Sequence, residues 1–229
     1  MRLPGAPPAA LVFDLDGTLI DSRRDLATAV NRLRREMGMP PLPVEQVVAM
    51  VGEGARLLVE RALGPDFPPE RFEAAFATYR GFYMEACLDE TRAYPGVPEL
   101  LAALAPRYPL AVLTNKTEGV SRKILEGLGL AGYFREIAGG DTFPVRKPDP
   151  AGVVHLAAVL GVPVAEILLV GDSRFDAETA QNAGCRFALV EWGFPPPEER
   201  AGIAADLRVG EARDLALALD APLAGNVDA

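Results

Sequence analysis

Short apolar segments of strand length alternate with segments of helical spacing along much of this chain. The apolar segments are residues 9–13, 110–114, 136–139, 167–171 and 185–190. Helices are expected near residues 97–105 and 118–128, after Asp149, after Ser173, and near residues 211–219. Strands that alternate with helices predict an α/β fold with a parallel sheet covered by helices.

The alternation stops after the first apolar segment and resumes near residue 94. Between them, from about Ser22 to Thr91, apolar residues recur at helical spacing, and the aromatic residues of this stretch are interpreted as packing residues. Ser22 and Asp25 have the spacing of a capping box. The chain is therefore predicted to divide into a discontinuous core, residues 1–19 and 92–229, and an inserted helical cap, residues 20–91.

Two carboxylates, Asp14 and Asp16, follow the first apolar segment directly and precede a glycine. Residues i and i+2 of a strand point to the same side, so the two side chains would converge at its carboxyl end. Open α/β sheets bind their ligands at that end. Because close carboxylates repel each other, a cation is expected between them, and Mg²⁺ is the natural candidate.

Three more polar clusters follow the acid pair along the chain. They are Thr114-Asn115-Lys116 after one strand, Arg146-Lys147-Pro148-Asp149 before a helix, and Asp172-Ser173-Arg174-Phe175-Asp176 after another strand. This order of acid pair, hydroxyl, lysine and second acid pair resembles the four motifs of the haloacid dehalogenase-like superfamily. The resemblance implies a Rossmann-like core with strand order 5-4-1-2-3 and a cap that acts as a lid over the substrate.

The resemblance also implies roles for the acidic residues. Asp14 would be the nucleophile that forms an aspartyl-phosphate, and Asp16 the general acid and base. Mg²⁺ would be held by Asp14, by the backbone carbonyl of Asp16 and by Asp172. Because a halide leaves without a proton, the presence of Asp16 favours a phosphatase over a dehalogenase.

Phosphate binding is assigned by the same resemblance to Thr114, Asn115 and Lys147, with Asn115 donating its amide near the phosphate. Asp176 would orient Lys147 or metal-bound waters. Lys116 is interpreted as a solvated residue at a helix start.

Composition excludes several other classes. The net charge of −9 argues against a nucleic-acid partner, since phosphate backbones are bound by basic surfaces. A single histidine, His155, excludes a two-histidine phosphatase, and neither Cys87 nor Cys185 has an arginine six residues later, as a cysteine-loop phosphatase requires. With no stretch that would span a membrane and no signal segment, the protein is expected to be cytoplasmic.

The resemblance extends over most of the chain to phosphoglycolate phosphatases. In the cap, Gly52-Glu53-Gly54-Ala55-Arg56 has the composition of a helix start that could bind the carboxylate of a small phosphomonoester, although a plain tight turn explains it equally well. Gly52, Gly54 and Arg56 are thus candidate specificity residues. A phosphosugar mutase, a pyrophosphatase of the same superfamily and a phospho-accepting signalling module remain as alternatives.

Overall fold

Eight strands occur among the residues that the computed structural model describes, which are residues 3–221 and 223. They are β1 Ala10–Phe13, β2 Ile20–Asp21, β3 Arg92–Ala93, β4 Leu110–Leu113, β5 Glu136–Ala138, β6 Ile167–Gly171, β7 Arg186–Val190 and β8 Leu207–Val209. Six of them form one parallel sheet in the order β5-β4-β1-β6-β7-β8. The predicted order is confirmed for five strands, and β8 extends the sheet at the edge beyond β7.

Ten α-helices accompany these strands in the described part of the chain. They are α1 Arg23–Glu36, α2 Val44–Val48, α3 Ala55–Leu63, α4 Pro69–Ala86, α5 Val97–Leu104, α6 Glu118–Gly127, α7 Ala151–Leu160, α8 Arg174–Ala183, α9 Pro197–Ala201 and α10 Ala212–Ala218. None of the described helices is both long and apolar enough to cross a membrane.

The alternation of side chains in β1 separates the two faces of the sheet. Leu11 and Phe13 are buried in one cluster with residues of α5, α6 and α10, whereas Ala10 and Val12 are buried in a second cluster with residues of α7 and α8. Both faces of the sheet are therefore covered, which explains why all four residues of this strand are apolar.

The predicted helical insertion consists of α1 to α4 and is closed at its base by a small ribbon. Strands β2 and β3 pair antiparallel there, with Ile20 opposite Ala93. The buried cluster on the α5 side of the sheet continues without a break into the insertion, where it includes Leu33 and Val59. The helical layer is thus packed onto the edge of the sheet from which β1 runs into the acid pair.

The predicted capping box at the start of α1 does not form. Ser22 is the N-cap residue but makes no side-chain capping bond, and Asp25 is turned across the insertion instead. The Asp25 carboxylate, 1% exposed, accepts hydrogen bonds from the backbone N–H groups of Glu90 and Thr91 and from the Thr91 hydroxyl, at 2.7–3.1 Å. Asp25 therefore ties the outgoing segment of the insertion to its returning segment.

Strand β1 lies at the point where the sheet changes direction. The chain proceeds from β1 to β4 and β5 on one side and then crosses back to β6 on the other. A crevice forms at such a switch point, outside the carboxyl ends of the strands. Asp14 is the first residue after β1 and is therefore located at this crevice.

Candidate active site

Asp14 is held at the end of β1 with its carboxylate largely buried. Its backbone N–H donates to the Val170 carbonyl at 2.9 Å, which continues the pairing of β1 with β6. Asp14 Oδ1 lies 2.8 Å from Lys147 Nζ and accepts no well-oriented hydrogen bond from a described residue. Burial raises the pKa of Asp14 to about 7; Lys147 opposes this shift, and the charge of Asp176 adds to it.

Lys147 joins two of the predicted acids. Its ammonium lies 2.6 Å from Asp176 Oδ1 as well as 2.8 Å from Asp14 Oδ1. Burial would lower the pKa of Lys147, but the two carboxylates outweigh burial and raise it, so the side chain stays charged. The second oxygen of Asp176 accepts from the backbone N–H and hydroxyl of Ser173 in a capping box at the start of α8. Both oxygens of Asp176 are therefore occupied in positioning Lys147 and α8.

Asp172 lies beside this pair in a space that glycines create. A Cβ on Gly17 would lie 2.0 Å from Asp172 Oδ2, and a Cβ on Gly193 would lie 2.1 Å from Asp172 Cβ. One carboxylate oxygen accepts the backbone N–H of Phe194 at 2.7 Å. Burial, followed by the charges of Asp176 and Asp14, raises the pKa of Asp172 well above its usual value.

The acidic cluster has the composition of a site for a divalent cation. Carboxylate oxygens of Asp14, Asp172 and Asp176 all lie within 4.8 Å of one another and are buried. Lys147 is the one cation paired with them among the described residues, so the cluster carries an excess of negative charge. Hard cations take such oxygen ligands. Since both oxygens of Asp176 are already bonded, Asp14 and Asp172 are the carboxylates free to bind a metal.

Asp16 points away from that cluster, toward the helical insertion. Its Oδ1 accepts a hydrogen bond of 2.5 Å from the Ser22 hydroxyl, and its Oδ2 lies 2.8 Å from Lys116 Nζ. Lys116 is thus not the solvated residue that the sequence predicted: its side chain is 6% exposed, and it also donates to the Tyr83 hydroxyl at 2.5 Å. The Ser22 hydroxyl, predicted to cap α1, instead positions Asp16.

Thr114 and Asn115 follow β4 and have different surroundings. The Thr114 hydroxyl oxygen accepts the Lys116 backbone N–H at 3.3 Å, which leaves its proton free to donate into the crevice. The amide nitrogen of Asn115 donates to the carbonyls of Gly52 and Lys147 at 2.8 and 3.1 Å, and its oxygen accepts the Lys147 N–H at 3.0 Å. Both amide hydrogens of Asn115 are therefore used inside the protein, and the predicted donation to phosphate is not available to them.

The predicted specificity residues of the cap separate in the structure. Gly52 and Gly54 line the crevice, and both have positive φ angles, +130° and +94°, that favour glycine. Arg56 lies outside it: the guanidinium is 2.5 Å from Glu73 and 4.7 Å from the centre of the Phe72 ring. Arg56 therefore forms an ion pair with Glu73 on the surface of the cap, and it does not line the crevice where the sequence predicts that it contacts a substrate carboxylate.

The crevice is a small cavity of about 90 Å³, whose lining includes the core acids, both buried lysines and two tyrosines of α4, Tyr79 and Tyr83. The two rings stack with centres 5.9 Å apart. The Tyr79 hydroxyl is buried and has no hydrogen-bond partner among the described residues. The sequence treated both tyrosines as packing residues. The sequence does contain a signal for a polar role: the two tyrosines lie four residues apart in a helix whose other aromatic residues are phenylalanines. A buried tyrosine hydroxyl normally has a hydrogen-bond partner.

The fold and these residues define a haloacid dehalogenase-like hydrolase. The model of this family matches residues 11–190, and the chain belongs to it. Its relatives include a protein of Neisseria meningitidis named phosphoglycolate phosphatase, 43% identical over 81% of this chain and 81% of its own length. A protein of Chromobacterium violaceum with the same name is 38% identical over 90% of this chain and 94% of its own.

Solved structures agree with the assignment. The crystal structure of a predicted phosphoglycolate phosphatase from Haemophilus somnus superposes with a TM-score of 0.86 and 32% identity. The match covers 90% of this chain and 96% of that one. The fold of this chain is therefore shared, over most of its length, with that of the Haemophilus somnus protein.

Proposed function

We propose that this protein is a magnesium-dependent phosphatase that hydrolyses 2-phosphoglycolate to glycolate and phosphate through an aspartyl-phosphate on Asp14. The observation that carries the proposal is the buried cluster of Asp14, Lys147 and Asp172 at the switch point of the sheet. Phosphomonoesters hydrolyse very slowly, so an enzyme must supply a nucleophile, charge neutralisation and a proton. This cavity holds a residue for each task.

In the first step the Asp14 carboxylate attacks phosphorus, a new P–O bond forms, and the bond to the ester oxygen breaks. The ammonium of Lys147, 2.8 Å from Asp14, neutralises charge on the phosphate as it is transferred. The free hydroxyl proton of Thr114 donates to another phosphate oxygen. Asp176, fully buried, keeps Lys147 in place during the step.

Asp16 handles the proton of both steps. It protonates the departing alkoxide, and then accepts a proton from the water that attacks the aspartyl-phosphate. That second attack releases phosphate and restores the Asp14 carboxylate. The hydroxyl of Ser22, 2.5 Å away, fixes the orientation of Asp16 for this exchange.

The metal site would be formed by the side chains of Asp14 and Asp172 with the backbone carbonyl of Asp16. A bound Mg²⁺ supplies charge stabilisation for the transferred phosphoryl group and orients it. Asp172 is held for this task by the Phe194 N–H and by the lack of side chains at Gly17 and Gly193.

The substrate is proposed from the relatives and from the cavity. Curated relatives of up to 43% identity carry the name phosphoglycolate phosphatase. A cavity of about 90 Å³ suits a compact ester. The helical segment of residues 20–91 would act as the lid, since α4 supplies Tyr79 and Tyr83 to the cavity wall.

The test is turnover of a panel of small phosphomonoesters with Mg²⁺. Phosphoglycolate should be the best substrate, and Asp14→Asn should abolish turnover because an amide does not form the acyl-phosphate. Asp16→Asn should slow phosphoglycolate by roughly 10²–10⁴-fold and an activated aryl phosphate much less, since an aryl oxide needs little protonation. Residual activity of Asp14→Asn within tenfold of wild type would remove Asp14 as nucleophile. Preference for pyrophosphate or a sugar bisphosphate would assign a different substrate to the same core.

A further inference from the structure

Lys116 is a second buried cation in the cavity, and the catalytic scheme above does not use it. The chain has only three lysines, and two of them, Lys116 and Lys147, line this one small space. Lys147 lies against the nucleophile, whereas Lys116 lies against Asp16. Both ammonium groups are paired with protein carboxylates, and each has further donor capacity, so the two lysines can also contact a ligand with two anionic groups.

We propose that Lys116, with the hydroxyl of Tyr79, binds the carboxylate of a short acidic phosphomonoester. This assignment rests on the proposed function, and it names the residues that distinguish an acidic ester from a neutral one. The ligand class is a phosphomonoester with a carboxylate one carbon from the ester oxygen.

The position of Lys116 relative to Asp16 supports this role. A residue that protonates the leaving oxygen must contact that oxygen, and Lys116 Nζ lies 2.8 Å from the Asp16 carboxylate. In phosphoglycolate a single methylene separates the ester oxygen from the carboxylate carbon. The carboxylate therefore falls within reach of a cation that touches Asp16, whereas Arg56 is paired with Glu73 on the cap surface.

The remaining hydrogen-bond capacity also fits a carboxylate. An ammonium has three protons, and Lys116 uses one toward Asp16 and one toward Tyr83, so a third is available. The Tyr79 hydroxyl, on a residue 1% exposed, has no partner among the described groups. Burial raises the pKa of Tyr79, so this hydroxyl keeps its proton and is a donor. An unpaired donor that lines the same cavity as a partly used ammonium is complementary to an anionic oxygen pair.

The alternative is that Lys116 only balances the charge of Asp16. The two roles differ in their consequences, because a partner of Asp16 affects every alkyl ester alike. A carboxylate-binding residue affects only esters that carry a carboxylate. Ethyl phosphate has the same two carbons and an alkoxide leaving group but no carboxylate. Loss of a partner of Asp16 would therefore slow both esters, whereas loss of a carboxylate-binding residue would slow phosphoglycolate alone.

The first experiment compares kcat/KM for phosphoglycolate and ethyl phosphate in Lys116→Met and Tyr79→Phe. Lys116→Met should lower the ratio of the two values by about 30- to 1,000-fold, the scale for truncating one partner of a buried charge pair. Lys116→Arg should recover part of that ratio. Lys123→Met is the matched control: the Lys123 ammonium donates to the Met84 carbonyl on an exposed surface, and its loss should leave the ratio unchanged. An unchanged ratio in Lys116→Met would overturn the assignment.

Tyr79→Phe removes one unpaired hydroxyl and nothing else, so the variant should fold with unchanged or higher stability. The ratio of kcat/KM for phosphoglycolate to that for ethyl phosphate should fall by about 10- to 150-fold, the scale for one hydrogen bond to a charged group. The same ratio as wild type would remove Tyr79 from the subsite.

A binding measurement separates this inference from the proposed activity. Phosphoglycolate and ethyl phosphate are titrated calorimetrically into Asp14→Asn and into Asp14→Asn with Lys116→Met, where no turnover intervenes. Loss of the preference for phosphoglycolate on removing Lys116 supports the subsite even if the wild type hydrolyses neither ester, an outcome that would reject the proposed reaction alone. Equal preference in both proteins rejects the subsite even where phosphoglycolate is hydrolysed.

Discussion

Replacing Asp172 by asparagine should stabilise the metal-free protein while it removes metal-dependent catalysis. Asp172 is buried beside Asp14 and Asp176, and these like charges help raise its pKa well above the usual value. An asparagine keeps an oxygen for the Phe194 N–H, which now bonds Asp172 at 2.7 Å. The substitution therefore removes a repelling charge and preserves the hydrogen bond.

The size of the effect follows from the distances. Two carboxylates within 4.8 Å of each other repel by about 3.5 kcal/mol at an effective dielectric constant of about 20. Asp172 faces two such carboxylates and the ammonium of Lys147, so the net repulsion is close to that of one pair. The raised pKa of Asp172 shows that burial and like charges oppose its ionisation, and because protonation offsets part of the repulsion, we expect a gain of about 1–3 kcal/mol. For a protein of this size that corresponds to roughly 2–12 °C in Tm.

The assay is thermal unfolding at pH 8 in excess chelator and again with Mg²⁺. In chelator Asp172→Asn should melt above wild type, whereas Mg²⁺ should raise the Tm of wild type much more than that of the variant. Asp206→Asn is the matched control, because Asp206 also accepts a backbone N–H, from Phe187 at 2.8 Å, but is exposed and away from the acidic cluster. The reasoning would be refuted if Asp172→Asn melted below wild type in chelator, or if Mg²⁺ raised the Tm of the variant as much as that of wild type.

Two further predictions concern Asn115 and Asp14. Asn115→Asp should lower the free energy of unfolding by about 2 kcal/mol or more in urea titrations, because the carbonyls of Gly52 and Lys147 lose their donors. Asn182 is the control: it is exposed and donates to the Pro148 carbonyl, and it should tolerate the same change. Equal losses of stability at both sites would contradict this prediction. Asp14→Asn should be more stable than wild type in chelator at pH 8, with a gap that closes toward pH 5. Because the pKa of Asp14 is raised to about 7, its contribution to stability is fully present below its unfolded pKa near 3.8 and is lost as the pH rises through 7. A difference in stability between variant and wild type that widens as the pH falls would show the opposite sign.

The core of the site was predictable because its residues are placed by local rules. A strand that ends in two acids puts them at the carboxyl edge of a parallel sheet, and that edge is where such folds bind ligands. Asp14, Lys147 and Asp172 come together for this reason. Strand β8, Leu207–Val209, was missed because Arg208 separates its two apolar residues and leaves no apolar segment, so pairing with β7 alone defines it.

The cap side of the site was not predictable in this way. Whether Lys116 is solvated or buried depends on where α4 is docked, and the partner on that helix, Tyr83, lies 33 residues away along the chain. Arg56 has the charge that a carboxylate requires, but Glu73 competes for it on the surface of the cap. Lys116 and Arg56 carry the same charge and differ in burial. Burial depends on how the helices pack together, which the sequence does not show directly.

Three consecutive residues after β4 connect the cap to the catalytic groups. Thr114 offers its hydroxyl proton to the cavity, Asn115 bonds the carbonyls of Gly52 and Lys147, and Lys116 contacts Asp16 and Tyr83. The same turn therefore fixes the cap loop and orients a lysine on each side of the cavity. A shift of the cap that broke the bond between Asn115 and Gly52 would also disturb the backbone of Lys147. Asn115 therefore joins the loop of Gly52 to the backbone of Lys147, the lysine that we propose binds phosphate, and both of its amide hydrogens are used in this connection.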